Sequence, residues 1–510
     1  MKHKLFLLLV GLLIIALLLV TGCGAAPETV TVVETVEVEK IVTQEVEKIV
    51  EVEKEVEKIV EVEKEVEVVV TKEVEVEKIV EVDMPEFPEG TELHLLQWSH
   101  FVPNYDKWFD QFAQTWGEDN GVEVTVDHIN LADLGPTLTA ALDAGEGPTM
   151  VELVIAPSLF VEGVHDLTDV NMRAQELFGE QAPNCMANSY LPANDMWYAF
   201  CPGWVPDPGD YDISLWSEVG FPDGPATWAD LLEGGARIRD ELGVPMGLGL
   251  SPEIDSNMAM RGIIWSFGGS IQDENECVSL NSPEVLEAVE YVVQLYGQTM
   301  TEEVFAWDAA SNNQGLIAGE LSYILNSISA YRSLQKIDPE AADNIGFVEA
   351  LKGPRGDQHA SAHVWSIYVI PNYVEAPDLD AAKAFLLHLT ANYNQATFNS
   401  ELYNFPAFKS TVPQLFEEGG WLDIDPFGSR PPDKLKVLAT AENWVTYLGW
   451  PGPANPAVSE VYATNIIATM MGRAALGELT PEEAIVEAET QIEEIFNKWR
   501  EKGLVGCADQ

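Results

Sequence analysis

The chain has 510 residues, of which 46% are hydrophobic, and it carries a formal net charge of −57 at pH 7. This length is sufficient for two or more folded domains. Because so large a negative charge repels phosphate backbones and anionic headgroups, it argues against nucleic acid as a partner and indicates a strongly solvated surface.

The first 22 residues have the pattern of an export signal. Lys2 and Lys4 precede an apolar run from Leu5 to Val20, and small residues then lead directly to Cys23. The pattern resembles the lipobox of bacterial lipoproteins, which implies cleavage before Cys23 and lipid attachment to its sulfur. An uncleaved membrane helix is the alternative, but the run is short for spanning and no basic stop signal follows it. We therefore predict a signal peptide over residues 1–22 and an exported chain held by lipid at the outer face of the cell membrane.

Residues 23–90 form a low-complexity segment that we predict to be a stalk. The unit EKIVEVEKEV occurs twice in succession, starting at Glu47 and at Glu57. Valine at alternate positions is formally a strand pattern, whereas a heptad frame from Val42 and the Glu/Lys content favour a helix. A helical stalk that self-associates as a coiled coil, extended disorder and a sheet remain as alternatives. In each case the segment holds the following domain away from the membrane, and Pro85 and Pro88 end it.

The folded region opens with strands that alternate with helices. Glu92 to Trp98, Val122 to Val126 and Met150 to Ile155 are predicted strands, and a helix is predicted near Pro136 to Ala144. Between the first two strands, five aromatic residues at helical spacing predict a helix with a buried face: Tyr105, Trp108, Phe109, Phe112 and Trp116. This alternation indicates a mostly parallel sheet with helices on both faces.

The middle and the end of the chain carry turn and capping signals. The proline-rich segment Tyr198 to Gly209 interrupts the alternation, and Thr227 then begins a helix with capping-box spacing. From Gly262 to Tyr296 an apolar helix ends at two glycines, an acidic turn and a short strand follow, and Ser282 caps a second helix. Later segments complete the pattern: Ile317 to Ser327, Gly353 to Pro371, and Ala454 to Trp499.

In this order the segments resemble the family 1 extracellular solute-binding proteins, the maltose-binding-protein-like receptors that deliver sugars to ABC importers. The resemblance covers about residues 91 to 505. It implies an α/β, two-lobe periplasmic-binding-protein-like type II fold, with mostly parallel sheets flanked by helices and a ligand cleft between the lobes. It also assigns residues 91–202 and 362–428 to an N-terminal lobe, and residues 203–361 and 429–510 to a C-terminal lobe.

Four cysteines follow Cys23, and export places them in a compartment that permits disulfides. They allow three pairings, and no C-x-x-C spacing indicates zinc or a thioredoxin-like site. The lobe assignments that the resemblance implies favour Cys185 with Cys201 and Cys277 with Cys507. The first bond would close a short loop, and the second would tie the C-terminal tail to the acidic turn.

The sequence lacks the common catalytic motifs. No G-x-S-x-G, H-E-x-x-H, P-loop or EF-hand spacing occurs, and Gly247-x-Gly249 lacks the third glycine of a dinucleotide fingerprint. We therefore expect a binding protein without cofactor or metal, and no enzyme. Acidic residues are numerous enough to supply a glycosidase pair, so a surface enzyme that acts on glycans stays open as an alternative.

Sugar recognition needs an aromatic ring for the apolar face of a pyranose, and fixed carboxylates or amides for its buried hydroxyls. In open α/β sheets such groups lie beyond the C-terminal ends of strands. Residues of these types in strand-following loops or at the crossings are the candidates: Trp98, His100, Asp127, Asp255, Asn257, Trp307, Asp308, Asn326, Tyr331, His363, Trp365, Trp450, Asn455 and Tyr462. Tyr331 stands where the family commonly places a stacking aromatic. Each candidate also has a purely structural alternative, as a strand or helix cap or as a hydrogen-bonded histidine.

Together these features favour a lipid-anchored receptor that closes two lobes on a sugar or polyol and delivers it to the permease subunits of an ABC importer. A cationic solute such as a polyamine is the alternative on the same fold, because the aromatic rings offer cation–π contacts and the acids offer charge. A stalked adhesin without a small ligand is a further alternative.

Overall fold

The computed structural model describes residues 85–507. The predicted signal peptide, Cys23 and the predicted stalk up to residue 84 lie outside the described residues. Within residues 85–507, no helix combines the length and the apolarity that are needed to cross a bilayer.

Short strands and helices alternate along the described chain. The strands are β1 (Glu92–Trp98), β2 (Glu123–Ile129), β3 (Met150–Leu153), β4 (Tyr190–Leu191), β5 (Met196–Trp197), β6 (Phe200–Val205), β7 (Gly209–Asp212), β8 (Tyr323–Leu325), β9 (Ile345–Val348), β10 (Ala360–Ser361), β11 (Val364–Val369), β12 (Phe405–Pro406) and β13 (Val445–Thr446). The helices are α1 (Pro103–Asn120), α2 (Leu134–Ala144), α3 (Thr168–Phe178), α4 (Pro183–Ala187), α5 (Ile213–Glu218), α6 (Trp228–Arg237), α7 (Ile254–Ser266), α8 (Pro283–Thr299), α9 (Ser311–Ile317), α10 (Ser329–Ile337), α11 (Pro339–Asp343), α12 (Asp378–Ala391), α13 (Tyr393–Asn399), α14 (Pro413–Phe416), α15 (Pro456–Ala463), α16 (Ile466–Ala475) and α17 (Pro481–Glu501).

The longer strands form a six-stranded sheet, here the first sheet, in the order β12-β6-β11-β3-β1-β2. β1 pairs in parallel with β2 and β3, whereas β11 runs antiparallel to β3 and β6. The second sheet has the order β8-β7-β9, and both of its pairings are antiparallel. The predicted α/β class with a helix-flanked central sheet is confirmed. The sheets are less parallel than the sequence predicts, because alternation of strands and helices does not reveal the direction in which a later strand returns.

Helix α1 packs its aromatic stripe against β2 and α13. Tyr105, Phe109 and Trp116 are buried as their spacing predicts, and the rings of Trp116 and Phe385 on α12 lie 5.2 Å apart. Trp108 and its neighbour on the stripe, Phe112, are only partly buried at the edge of the core. The stripe fixes α1 beside the first sheet, and α1 in turn supports the loop that follows β1.

Side-chain caps set the starts of several helices. The Thr227 hydroxyl accepts from the Asp230 backbone N–H, and the Asp230 carboxylate accepts from the Thr227 backbone N–H. Thr480 and Glu483 form the same capping box at α17, and Ser282 caps α8. These starts are confirmed where the sequence predicts them, because capping depends on neighbouring residues alone.

Two disulfides cross-link the described chain. Cys185 of α4 is bonded to Cys201 of β6, and Cys277 is bonded to Cys507 in the tail after α17, which are the predicted pairs. The chain leaves the first sheet at the end of β6 and enters the second with β7. The predicted lobe boundary between residues 202 and 203 therefore falls inside β6, and the lobe limits stay a prediction.

Candidate ligand-binding site

A cavity of about 890 Å³ lies at one edge of the first sheet. The ends of β1, β2 and β3 form one wall of this cavity. The opposite wall comes from the segments before α7 and α9 and from the junction of α15 with α16. These strands are adjacent and parallel, and the carboxyl edge of such strands is the usual place of a ligand in an open α/β sheet.

Aromatic side chains line the cavity from both walls. They are Trp98, Phe101, Phe160, Trp307 and Tyr462. Trp98 is 2% exposed and meets Phe101 edge to face at a centroid distance of 5.4 Å. Trp307 lies against Gly247, where a Cβ atom would come within 2.0 Å of the indole ring, so glycine leaves the room that this ring needs. Behind Tyr462, the buried guanidinium of Arg261 lies 4.8 Å from the ring centroid. The cavity thus offers flat apolar surface for stacking.

The polar lining combines a hydroxyl and amides with carboxylates. Its members are Ser99, Asn130, Glu253, Asp308 and Asn465. Burial raises the pKa of Glu253, and hydrogen bonds from Ser256 and from the backbone of Asp255 partly oppose that shift. Hydrogen bonds from Ser311 and from the backbone of Ala310 lower the pKa of Asp308. Among the described lining residues none is Lys, Arg or His, so the cavity suits a neutral or cationic solute and disfavours an anion.

Further carboxylates lie next to the cavity, close to the start of α7. Asp255 accepts a hydrogen bond from Asn312 at 2.9 Å, and burial, Glu253 and Asp207 raise its pKa well above the usual range. Asp210 on β7 is fully buried, and neither of its carboxylate oxygens has a hydrogen-bond partner within residues 85–507. Burial and the nearby Asp207 raise the pKa of Asp210 well above its usual range. In both Asp255 and Asp210 burial disfavours the charged carboxylate in the folded chain.

Four of the residues predicted from the sequence line this cavity: Trp98, Trp307, Asp308 and Tyr462. Asp255 and Asn257 lie just behind it in the first turn of α7. The Asn257 amide donates to the Glu253 carbonyl at 3.1 Å and also to the Asn465 side chain. Asn257 therefore positions two lining residues and does not itself line the cavity.

His100 lies beside the cavity and not in its lining. Its ring stacks on Trp98 at a centroid distance of 4.3 Å, and its Nδ1 lies 2.6 Å from Asp106 Oδ1. Burial alone would lower the pKa of His100, but Glu152 and Asp106 outweigh it and raise this pKa to about 9. Asn326 is also buried outside the lining, where its amide donates to Asn313.

Asp127 and Tyr331 are placed away from the cavity. Asp127 lies within β2 at the edge of the first sheet, where its exposed carboxylate pairs with His94 at 2.8 Å. Tyr331 is buried on α10, and its hydroxyl donates to Ser429 at 2.8 Å. The sequence identifies both as polar or aromatic residues near a strand end, but it does not show which side of the sheet or helix they occupy.

The last four predicted residues also have other partners. His363 pairs with buried Asp207 at 3.1 Å, and Trp365 lies inside the first sheet on β11. Trp450 stacks on His359 at 4.5 Å. Asn455 caps α15, and its amide donates to the side chains of Gln272 and Glu276. None of these four residues lines the cavity, and their role in binding stays a prediction.

Sequence reasoning missed several lining residues: Phe101, Asn130, Phe160, Glu253 and Asn465. Asn130 directly follows β2, so the correct end of that strand identifies it. Phe101 lies three residues after β1, whose end is predicted correctly, and its apolar side chain gives no further signal. Glu253 caps α7 through its side chain, but glutamate is not among the residues preferred at that position, so the sequence gives no capping signal there. Asn465 holds a left-handed conformation with φ of 56° between α15 and α16, which the sequence does not indicate.

A model of the family described as bacterial extracellular solute-binding protein matches residues 107–426. The chain belongs to this family. Maltose-bound MalE3 of T. maritima is similar in structure, with 20% identity, a TM-score of 0.65, and coverage of 80% of this chain and 100% of that one. A ribitol-bound ABC transporter solute-binding protein from Agrobacterium radiobacter K84 has 18% identity, a TM-score of 0.65, and coverage of 80% and 99%. A tagatose-bound relative from Thermotoga lettingae TMO has 19% identity, a TM-score of 0.64, and coverage of 80% and 100%.

A search of curated protein sequences gives no match. The structural likenesses extend the fold of a solute-binding protein over most of the described chain, and the predicted family is confirmed. The family and these neighbours are transport proteins, so the expectation of a binding protein, and not an enzyme, is also confirmed.

Proposed function

We propose that this solute-binding protein captures a sugar or a polyol in the 890 Å³ cavity and delivers it to the permease of an ABC importer. The observation that carries the proposal is that one cavity lining combines aromatic rings from the strand ends and from the α7, α9 and α15–α16 segments with amide and carboxylate groups. A pyranose ring stacks on such rings, and its hydroxyls need such partners once water is excluded. The solutes named for the similar structures, maltose, ribitol and tagatose, are of this class.

The size of the cavity supports a small solute. Sites for small molecules have volumes of roughly 300 to 1,000 Å³ and bury most of the ligand surface. The strands contribute one wall and the α7, α9 and α15–α16 segments the other, so a solute would contact both. Contacts that require both walls are what favours the closed form of a two-lobe receptor.

A polyamine is the second candidate, and one observation favours it. The charged lining residues are both acidic, Glu253 and Asp308, and they stand among aromatic rings that can bind a cation. However, the raised pKa of Glu253 means that its charged form is disfavoured. The amides and the hydroxyl of the lining both donate and accept hydrogen bonds, which suits sugar hydroxyls better than ammonium groups, since these only donate.

Thermal unfolding with a panel of solutes tests both candidates. The panel contains maltose, ribitol, tagatose, spermidine and the anionic sugar glucuronate. A ligand at 100 times its Kd stabilises the folded form by about 2.7 kcal/mol, which is readily seen in the melting temperature. We expect a rise with a neutral sugar or polyol and none with glucuronate. A rise with spermidine alone would favour the polyamine, and a rise with glucuronate alone would contradict both candidates.

We further propose that lipid on Cys23 anchors the protein to the outer face of the cell membrane and that residues 23–90 act as the spacer. The support is the apolar run and the small residues that precede Cys23. Mass spectrometry of membrane-extracted protein should find a diacylglycerol group on Cys23 and no residues before it. Cys23→Ser should release the protein from the membrane fraction, and retention of this variant there would contradict the anchor.

A further inference from the structure

The loop after β1, helix α1 and strand β2 bring two histidines and one aspartate together beside the solute cavity. One ligand atom each of His100, Asp106 and His128 lies within 4.8 Å of the other two. Nδ1 of His100 lies 2.6 Å from Asp106 Oδ1, and Nδ1 of His128 lies 3.9 Å from the same oxygen. The two imidazole rings therefore present the same type of nitrogen to one carboxylate.

The far side of each imidazole faces a second carboxylate. Nε2 of His128 lies 2.8 Å from Asp110, and Nε2 of His100 lies 3.4 Å from Glu152. Glu152 is fully buried, and both of its oxygens lack a hydrogen-bond partner within the described residues. A carboxylate on the outer nitrogen of a histidine fixes the ring and strengthens the inner nitrogen as a metal ligand. This arrangement occurs here twice around one centre.

We propose that His100, Asp106 and His128 bind a zinc ion through the two Nδ1 atoms and one Asp106 oxygen. Two imidazoles and one carboxylate form a zinc ligand set with a fourth position open to water. With metal–ligand distances of about 2.0 to 2.2 Å, ligand atoms around a tetrahedral ion lie about 3.3 Å apart. The two distances to Asp106, 2.6 and 3.9 Å, bracket that value, and all three ligand atoms lie within 4.8 Å of one another. Side-chain shifts of about 1 to 1.5 Å would therefore complete the site.

The site is open enough for an ion to enter. The side chains of His128 and Asp106 are 17% and 20% exposed, whereas that of His100 is 3% exposed. The site also contacts the cavity wall, because His100 stacks on Trp98 and Nδ1 of His128 lies 3.3 Å from the Trp98 carbonyl oxygen. Zinc at this centre would fix His100 and His128, the two residues that contact the lining residue Trp98.

Zinc titration of the full chain by calorimetry, after removal of metal with a chelator, tests the proposal. We expect one zinc ion per chain, and we expect the affinity to fall at least 100-fold in His128→Ala and in Asp106→Asn. Asp110→Asn keeps all three ligands and should weaken binding by about 10- to 100-fold, because it removes only the support of His128. X-ray absorption of the loaded protein should show two imidazole nitrogens on zinc.

His94 supplies a matched control, because it also pairs with an aspartate, Asp127, on the same sheet but has no second histidine in its cluster. His94→Ala should bind zinc like the parent, and circular dichroism should show that all variants remain folded. The proposal is overturned if the parent binds no zinc, or if His128→Ala and Asp106→Asn bind it as tightly as the parent. The test uses no sugar, so its outcome is independent of the proposed solute.

Discussion

Trp307→Ala gives the most direct test of the cavity as the solute site. Trp307 is partly buried, and its ring packs on Gly247 while it lines the cavity. An aromatic residue that anchors a binding site contributes about 2 kcal/mol or more to binding. At about 1.4 kcal/mol per tenfold change, its loss should raise the Kd roughly 30-fold.

Calorimetric titration with the tightest sugar or polyol of the panel measures this change, and urea unfolding of the same samples measures stability. Because Trp307 is not fully buried, the free energy of unfolding should fall by less than the roughly 3 to 5 kcal/mol of a core tryptophan. Trp108→Ala is the matched control, since Trp108 is also partly buried but lies on α1 outside the cavity lining. If folded Trp307→Ala binds within twofold of the parent, the solute does not stack on this ring.

Three further predictions concern stability. Tyr331→Ala should lower the free energy of unfolding by about 3 to 5 kcal/mol, because it removes a fully buried ring. Its solute affinity, measured by calorimetry, should equal that of the parent. A loss of affinity would show that Tyr331 contributes to solute binding. Asp210 has an ordinary pKa of 3.8 that burial raises in the folded chain, so above pH 3.8 ionisation favours the unfolded chain and the free energy of unfolding falls. The parent should therefore lose about 1.4 kcal/mol relative to Asp210→Asn for each pH unit above about 3.8, up to the folded-state pKa. The melting temperature of Asp210→Asn relative to the parent should rise between pH 3 and pH 7, and a difference that does not change with pH would show that Asp210 is solvated. Cys277→Ala with Cys507→Ala opens the longer disulfide and should lower the free energy of unfolding by roughly 2 to 5 kcal/mol, as measured in urea. An unchanged midpoint would show that the tail adds no stability.

The capping residues of the sequence predict the starts of helices such as α6 and α8. Errors of a few residues in the ends of other elements explain why some residues that line the cavity are not predicted. The sequence predicts that the second strand ends at Val126 and that Asp127 lies in the loop after it. The strand continues to Ile129, and Asn130 is the residue that reaches the cavity. In the same way, Asp255 and Asn257 are expected in a strand-following loop or at a crossing, but α7 begins at Ile254 and contains both. A shift of three residues changes which side chain stands at the sheet edge.

Tertiary packing explains the remaining differences. The strand that contains Trp365 was predicted, but its position between β3 and β6 depends on pairing with segments far away in the chain. A central strand buries its side chains on both faces, so its tryptophan belongs to the core. Tyr462 is predicted because the closing segment of the chain resembles the last helices of the family. Asn465, three residues later, lines the cavity through a left-handed backbone conformation that no residue pattern predicts.

The order of strands in the first sheet has a consequence for synthesis and export. In the sheet, β11 lies between β3 and β6. In the chain, it comes after both of them, and the segment that forms the second sheet separates it from β6. β12, the other neighbour of β6, follows β11 in the chain. An N-terminal fragment that stops before β11 therefore leaves one edge of β3 and both edges of β6 without a partner. Such open edges are sites for pairing with other chains, and pairing between distant segments is slow. These three strand edges of a chain that emerges N-terminus first stay unpaired until β11 and β12 arrive, so truncated products should aggregate where the full chain folds.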